Sequence, residues 1–214
     1  MTITCSRFIF ICALGLSSLA MLSCTHGGYK EKAFPYSADL HLPMTFLEHN
    51  GPDAAFLGMN VHAPPVEELR RLVEERRQLK LLGRGEAHVT VVTPPEYEVL
   101  KSKLGMERIN EIARSMEIQQ KSFYPMCLGR ASTGAADAEQ TFFMVLEAPE
   151  LLEIRRAVHD AFVMAGGDGT LFPVNDYQPH VTVGFTRRDL FAQDGAVKGK
   201  NSCFAGLEEV DHGR

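Results

Sequence analysis

The tetrapeptide His-Val-Thr-Val occurs twice in this chain of 214 residues, at 88–91 and again at 180–183, although the whole sequence holds only eight histidines. In an extended strand successive side chains point to opposite faces, so His88 shares a face with Thr90 while Val89 and Val91 turn the other way. His180 and Thr182 stand in the same relation to Val181 and Val183. Valines suit a buried face, which leaves the imidazoles and hydroxyls to line a cleft. Two facing imidazoles suit proton transfer near neutral pH, because an unperturbed pKa of about 6.5 lets one be base and the other acid. That set fits a phosphodiester. A base takes a proton from water or a hydroxyl, an acid protonates the departing oxygen from the opposite side, and the hydroxyls hold the non-bridging oxygens as their charge grows. Which histidine begins as base stays open. The chemistry requires no metal. Zinc held by His88, His180 and a carboxylate such as Glu86 is a competing use, but the sequence lacks a His-x-x-x-His or cysteine pair there and zinc leaves both threonines unexplained.

Each motif must be positioned by what precedes it. The run from Ala54 to Pro64 reads as a short strand, and the segment from Pro64 to Lys80 as an amphipathic helix, with proline at its start and Val66, Leu69 and Val73 at helical spacing. The first His-x-Thr strand follows, and helices are expected over 94–104 and 106–118. The second half begins near Lys121 with two strands, then a helix opened by Pro149 and closed by Gly166 and Gly167, a loop, and the second His-x-Thr strand. Between the halves Ala63, Pro64, Glu68, Leu69, Arg70, Arg71 and Val73 match Ala148, Pro149, Glu153, Ile154, Arg155, Arg156 and Val158 at one constant offset of 85. The histidines lie 92 apart, which puts seven extra residues in the glycine-rich loop before Tyr177. The pattern indicates an internal duplication of strand, helix and His-x-Thr strand. Glu86, two residues before His88, reads either as a carboxylate that orients or tunes that imidazole or as a solvated one at the strand edge, and Gln178 holds the equivalent place before His180. His62 and Glu147 match one another at the ends of the first strands. Tyr97, Tyr177 and Phe185 are candidates to stack on a base, and Arg130, Arg187 and Arg188 to meet phosphate; core packing and solvated charge are the ordinary readings of these types.

The stretches GEAHVTVV and QPHVTVGF, set on duplicated halves, resemble the paired His-x-Thr motifs of the two-histidine (2H) phosphoesterase superfamily, which includes RNA 2',3'-cyclic phosphodiesterases and the proteins once called 2'-5' RNA ligases. RGEAHVTVVTPPEY, CLGRAS and YQPHVTVGFT are similar to its Swiss Army Knife, RNA repair-like branch, over roughly 54–188. The resemblance implies an α+β fold of two pseudo-symmetric lobes, each an antiparallel sheet backed by helices, with the active cleft between them. It implies His88 and His180 as the acid/base pair, Thr90 and Thr182 as substrate-binding hydroxyls, and no metal or other cofactor. The expected reaction is hydrolysis or transesterification of a phosphodiester, most naturally a 2',3'-cyclic phosphate of a nucleotide or RNA end. A rival from another class is a non-catalytic envelope lipoprotein that binds a nucleotide or other anion in the same cleft.

With 45% hydrophobic and 23% charged residues the chain has the composition of a globular protein, and a formal net charge of −5 argues against tight, sequence-independent binding of duplex nucleic acid. One Arg7 precedes an apolar run from Phe8 to Ala20 and then small residues, the layout of a secretory signal peptide over 1–23. Met21-Leu22-Ser23-Cys24 resembles a bacterial lipobox, which would make Cys24 the lipidated first residue of an exported protein anchored in the cell envelope; a plainly cleaved signal or an uncleaved anchor are the alternatives. Residues 24–53 read as a tether and N-terminal extension, and 54–214 as the bilobal domain, with lobes over about 54–120 and 121–214. A monomer is expected. Cys127 and Cys203 then remain in the folded part, as a disulfide or as two separate thiols.

Overall fold

The computed structural model describes residue 29 and residues 31–51, 54–134 and 139–211. The expected signal peptide and Cys24 lie outside the described residues. Four α-helices and seven strands occur among those described. Around the first motif stand β2 (Leu57–Asn60), α1 (Ala63–Arg77) and β3 (His88–Val92), followed by α2 (Pro94–Leu100) and α3 (Met106–Ser115). Around the second stand β4 (Tyr124–Ser132), β5 (Gln140–Glu147), α4 (Pro149–Met164) and β6 (His180–Phe185). Proline in the first turn starts both α1 and α4, where a missing N–H costs nothing. Gly166 closes α4 with φ 83, a backbone conformation that a side chain would strain. Thr93 and Glu96 start α2 with reciprocal side-chain to backbone bonds directly after β3.

Two strands escaped the sequence reading. Residues 31–37, placed in the extension, form β1 (Glu31–Ser37), and β7 (Cys203–Val210) ends the fold. They pair in parallel with each other, and the larger sheet runs β1-β7-β4-β5-β6, antiparallel except at that edge. Strands β2 and β3 form a separate antiparallel pair. The expected two equivalent sheets are therefore a five-stranded and a two-stranded one.

The duplication survives in register. Asn60 stands opposite His88, Met59 opposite Val89 and Gly58 opposite Thr90. At the same offsets Val145 stands opposite His180, Met144 opposite Val181 and Phe143 opposite Thr182. Helices back both sheets as expected, but each comes from the other half. Helix α1 packs against β1 and β6 of the large sheet, whereas α4 packs against β3 of the small one. One apolar core consequently runs through both halves, from Phe34 and Leu57 through Val89 and Ile154 to Val181.

The repeated arginines brace this exchange. Arg155 is fully buried and donates to the carbonyls of Val91, Pro173 and Val174 and to the Glu96 carboxylate, 2.6 Å away. Its counterpart Arg70 donates to the Leu81 carbonyl at 3.1 Å. Both hold the backbone around β3. Cys127 on β4 and Cys203 at the start of β7 form a disulfide, settling the alternative the sequence left open. A smaller apolar cluster of Cys127, Phe143, Val145 and Leu190 surrounds it. Because the bond closes a long loop, with a sequence separation of 76, replacing Cys203 by serine is expected to lower unfolding free energy by about 2–5 kcal/mol. Urea unfolding without reductant checks this; an unchanged midpoint would show that β4–β7 pairing holds the loop unaided.

Candidate active site between the two His-x-Thr strands

Strand alternation places the four motif residues as the sequence implies. Val89, Val91, Val181 and Val183 are buried in the core, and His88, Thr90, His180 and Thr182 lie half-buried on the opposite faces. Strands β3 and β6 pack beside one another, yet among the described residues no ladder joins them. The halves meet instead at one isolated bridge, where Leu82 and Phe185 exchange backbone hydrogen bonds of 2.8 and 3.0 Å. The space between the unpaired strand edges is the cleft. His88 feels the charge of His180, and both imidazoles feel Arg84 and Asp189.

On the second strand, His180 donates from Nδ1 to the Gln178 carbonyl at 2.7 Å. A carbonyl only accepts, so the neutral ring carries its proton on Nδ1 and presents a bare Nε2 lone pair. The side-chain oxygen of Gln178 accepts from the Lys198 backbone N–H at 2.8 Å, so one residue positions both His180 and Lys198. The ring of Phe143 meets His180 edge-on, with centroids 5.8 Å apart. Asp189, its side chain 5% exposed, gathers the cations nearby: Lys198 Nζ at 2.8 Å and an Arg84 guanidinium nitrogen at 2.6 Å. Thr182 also turns its hydroxyl toward Asp189, at 3.4 Å.

The first strand is furnished differently. The Glu86 carboxylate approaches His88 Nδ1 at 3.5 Å, and that buried nitrogen has no hydrogen-bond partner among the described residues. Phe56 and His49 stack on one another, 4.0 Å between centroids, and wall this side, 4.8 and 5.8 Å from the His88 ring. The Thr90 hydroxyl has no partner among the described residues. Arg84, Glu86 and Thr182 line one recess beside the strands. A separate cavity of about 400 Å³, between the segment 40–44 and residues 119–124, contains neither motif.

Charge and burial set the protonation states. Burial, then Arg84, His49 and His180, pushes His88 down to about 3, against a smaller pull upward from Asp189. Burial and then Lys198 push His180 down to about 4, opposed by its bond to Gln178 and by Asp189. Burial alone would raise Asp189, but Lys198 and Arg84 hold its carboxyl below the usual range. Both imidazoles are therefore neutral at pH 7.

Of the remaining sequence candidates, Glu86 and Gln178 reach the site as described. His62 caps α1 and its ring meets the Asp39 carbonyl at 3.0 Å. Tyr97 accepts from the Met106 N–H, and Tyr177 is packed under Arg155. Arg130 lies over Phe204, and Arg188 pairs with Asp194 and Glu139. None of these contacts is with a motif residue. Sequence reasoning missed Arg84, Asp189, Lys198 and His49. Arg84 and Asp189 sit only four residues before His88 and seven after Thr182, a proximity that is a usable signal. Burial of Lys198 has no local signature. Among the described residues no group of three or more His, Cys, Asp or Glu side chains is arranged to hold a metal ion.

A family model described as "Swiss Army Knife, 2H phosphoesterase domain" matches residues 55–191 of the chain. A search of curated proteins found no match of significance.

Depressed histidines make the fold sensitive to acid. Below about pH 6.5 the unfolded chain takes up protons that folded His88 and His180 refuse, so stability falls as pH drops toward about 4. The slope is at most about 1.4 kcal/mol per pH unit for each histidine. The double variant His88→Gln/His180→Gln is expected to lose less stability between pH 7 and pH 4.5 than wild type, measured by urea midpoints. Identical losses would show that neither ring resists protonation.

Proposed function

The chain belongs to the 2H phosphoesterase superfamily, in its Swiss Army Knife branch, and we propose that it cleaves a phosphodiester by transferring protons through His88 and His180. Phosphodiesterase-type function goes with that domain. The finer reading is hydrolysis of a 2',3'-cyclic phosphate on a nucleotide or RNA end, without a metal. The observation that carries it is the bond from His180 Nδ1 to Gln178, which leaves Nε2 as a base in a cleft shared with His88. In this reading His180 Nε2 takes a proton from water, whose oxygen attacks phosphorus. The bond to the 2' or 3' oxygen breaks, and His88 supplies the proton that makes it a hydroxyl, giving a phosphomonoester.

His88 must first be protonated, against burial and the cations that hold its pKa down. An arriving phosphodiester brings negative charge beside the ring, and Glu86 stands 3.5 Å from an Nδ1 that has no hydrogen-bond partner among the described residues. Bound substrate thus opposes the depression of that pKa. Thr90 has a free hydroxyl for a non-bridging oxygen, whereas Thr182 shares its proton with Asp189.

The same proposal places the protein outside the cytoplasm, exported by residues 1–23 and lipid-anchored at Cys24. The Cys127–Cys203 disulfide supports an oxidising compartment. Among the described residues no helix is long and apolar enough to cross a membrane. Metabolic labelling with palmitate is expected to mark wild type and not Cys24→Ser; equal labelling of both would overturn the anchor.

Turnover is tested with 2',3'-cyclic AMP and a cyclic-phosphate RNA end, in the presence of chelator. His88→Ala and His180→Ala are each expected to lower kcat by about 10²–10⁴-fold with retained fold, and wild type to show a bell-shaped pH profile. Equal turnover by wild type and the double variant would sink the catalytic roles. Binding of the cyclic nucleotide without product would favour a capture protein instead.

A further inference from the structure

The ion cluster on Asp189 holds one more positive charge than negative. Two cations, Arg84 and Lys198, converge on the single carboxylate of Asp189 at 2.6 and 2.8 Å. Both imidazoles beside them are neutral near pH 7. The other acid nearby, Glu86, is half-exposed at the His88 side. Within a partly desolvated site, such an excess is stabilised when an anion arrives.

The two cations differ in what they can reach. Lys198 has a side chain 7% exposed and is fixed from three directions: Asp189 on Nζ, Gln178 on its backbone N–H, and the rings of Phe143 and Phe191 at 5.8 and 5.4 Å. Its charge acts from behind. Arg84 has a side chain 31% exposed, lines the recess with Thr182 and Glu86, and gives Asp189 its one recorded hydrogen bond. A guanidinium has five N–H donors in a planar fork, so Arg84 keeps most of them for another acceptor.

The hydroxyls point the same way. Thr90 has no partner among the described residues, whereas the Thr182 hydroxyl makes a long contact of 3.4 Å to Asp189, the carboxylate that also holds Arg84. The guanidinium and the Thr182 hydroxyl therefore stand side by side on one recess.

We propose that Arg84 is the phosphate-contacting cation of the cleft, taking non-bridging oxygens beside Thr182, and that Asp189 and Lys198 are positioning residues that hold its fork in place. This rests on the reading of the cleft as a phosphodiester site, and it names the group that answers the charge growing on phosphorus. A guanidinium matches two phosphate oxygens at once, which a lysine or a hydroxyl does not. Preorganised donors aimed at developing charge commonly contribute a factor of about 10²–10³ in rate.

The test separates anion binding from turnover. Inorganic phosphate is titrated into the full chain by calorimetry at low salt, and 2',3'-cyclic AMP hydrolysis is measured on the same preparations. Arg84→Met leaves Asp189 paired with Lys198, so no buried carboxylate is orphaned; it is expected to weaken phosphate binding at least about tenfold and to lower kcat/KM by about 10²–10³-fold. Arg84→Lys keeps the charge and the ion pair but loses the fork, and is expected to recover part of both. It also serves if Arg84→Met does not fold. Lys198→Met is expected to change phosphate affinity less and to move the acid limb of the pH profile upward, because a cation is removed from beside His180.

Phosphate binding by folded Arg84→Met and Arg84→Lys equal to that of wild type would overturn the proposal and reduce the cluster to a structural ion pair. So would absence of phosphate binding by wild type. Loss of phosphate binding in Arg84→Met alongside a wild type that turns over no cyclic phosphodiester would uphold the anion site and sink the hydrolytic reading. Turnover that needs both histidines but is indifferent to Arg84 would do the reverse.

Discussion

Among the described residues, two backbone hydrogen bonds exchanged between Leu82 and Phe185 are the one place where the main chains of the halves join beside the cleft. Everything about the site follows from β3 and β6 being tied there and not zipped together. Had they paired along their length, the edges that now frame a cleft would be occupied by a ladder. Had they not been tied, nothing local would hold two imidazoles from distant segments near each other. The tie lies just beyond Gly184, where any side chain would run into Arg70, Leu81 and the Leu82 carbonyl at about 3.0 Å. A small residue there is what lets the loop before β3 approach β6.

The exchange of helices makes that geometry rigid. Helix α1 comes from the first unit but packs on the large sheet, and α4 comes from the second but packs on β3. Neither unit buries its apolar surface alone, so the cleft cannot open by simple separation of two self-sufficient bodies. Arg155 reinforces this from inside, reaching from α4 to the backbone of β3 and to Glu96 at the start of α2. A fully buried arginine is costly unless every donor is met; here three carbonyls and a carboxylate meet it.

The polar side of the cleft shows one field acting in two ways. Burial is the larger cause of the depressed histidines, and the cations held by Asp189 add to it. In the proposed reaction the charges that keep the rings neutral also attract an anion, whose arrival offsets them; the neutral His180 is then the base, and the substrate's own charge completes an acid at His88. The two halves share a strand register but not a chemistry: a free hydroxyl and a carboxylate beside β3, and an ion cluster beside β6.

The sequence by itself determined which face of each strand carries the imidazoles and hydroxyls, because alternation with valine is a local rule that a four-residue motif satisfies. It also determined the strand-helix-strand order of both units and, through the constant offset, their equivalence. Thr182 shows where local reading stops: its position on the cleft face was legible, its engagement by Asp189 was not. Strands β1 and β7 were hidden because parallel pairing between residues 31–37 and 203–210 has no short-range signature. The swap of helices and the choice of a buried Lys198 as partner for Asp189 were decided only by tertiary structure. Periodicity says that a side chain is buried or exposed, whereas the identity of what covers it depends on which distant segments the core brings together.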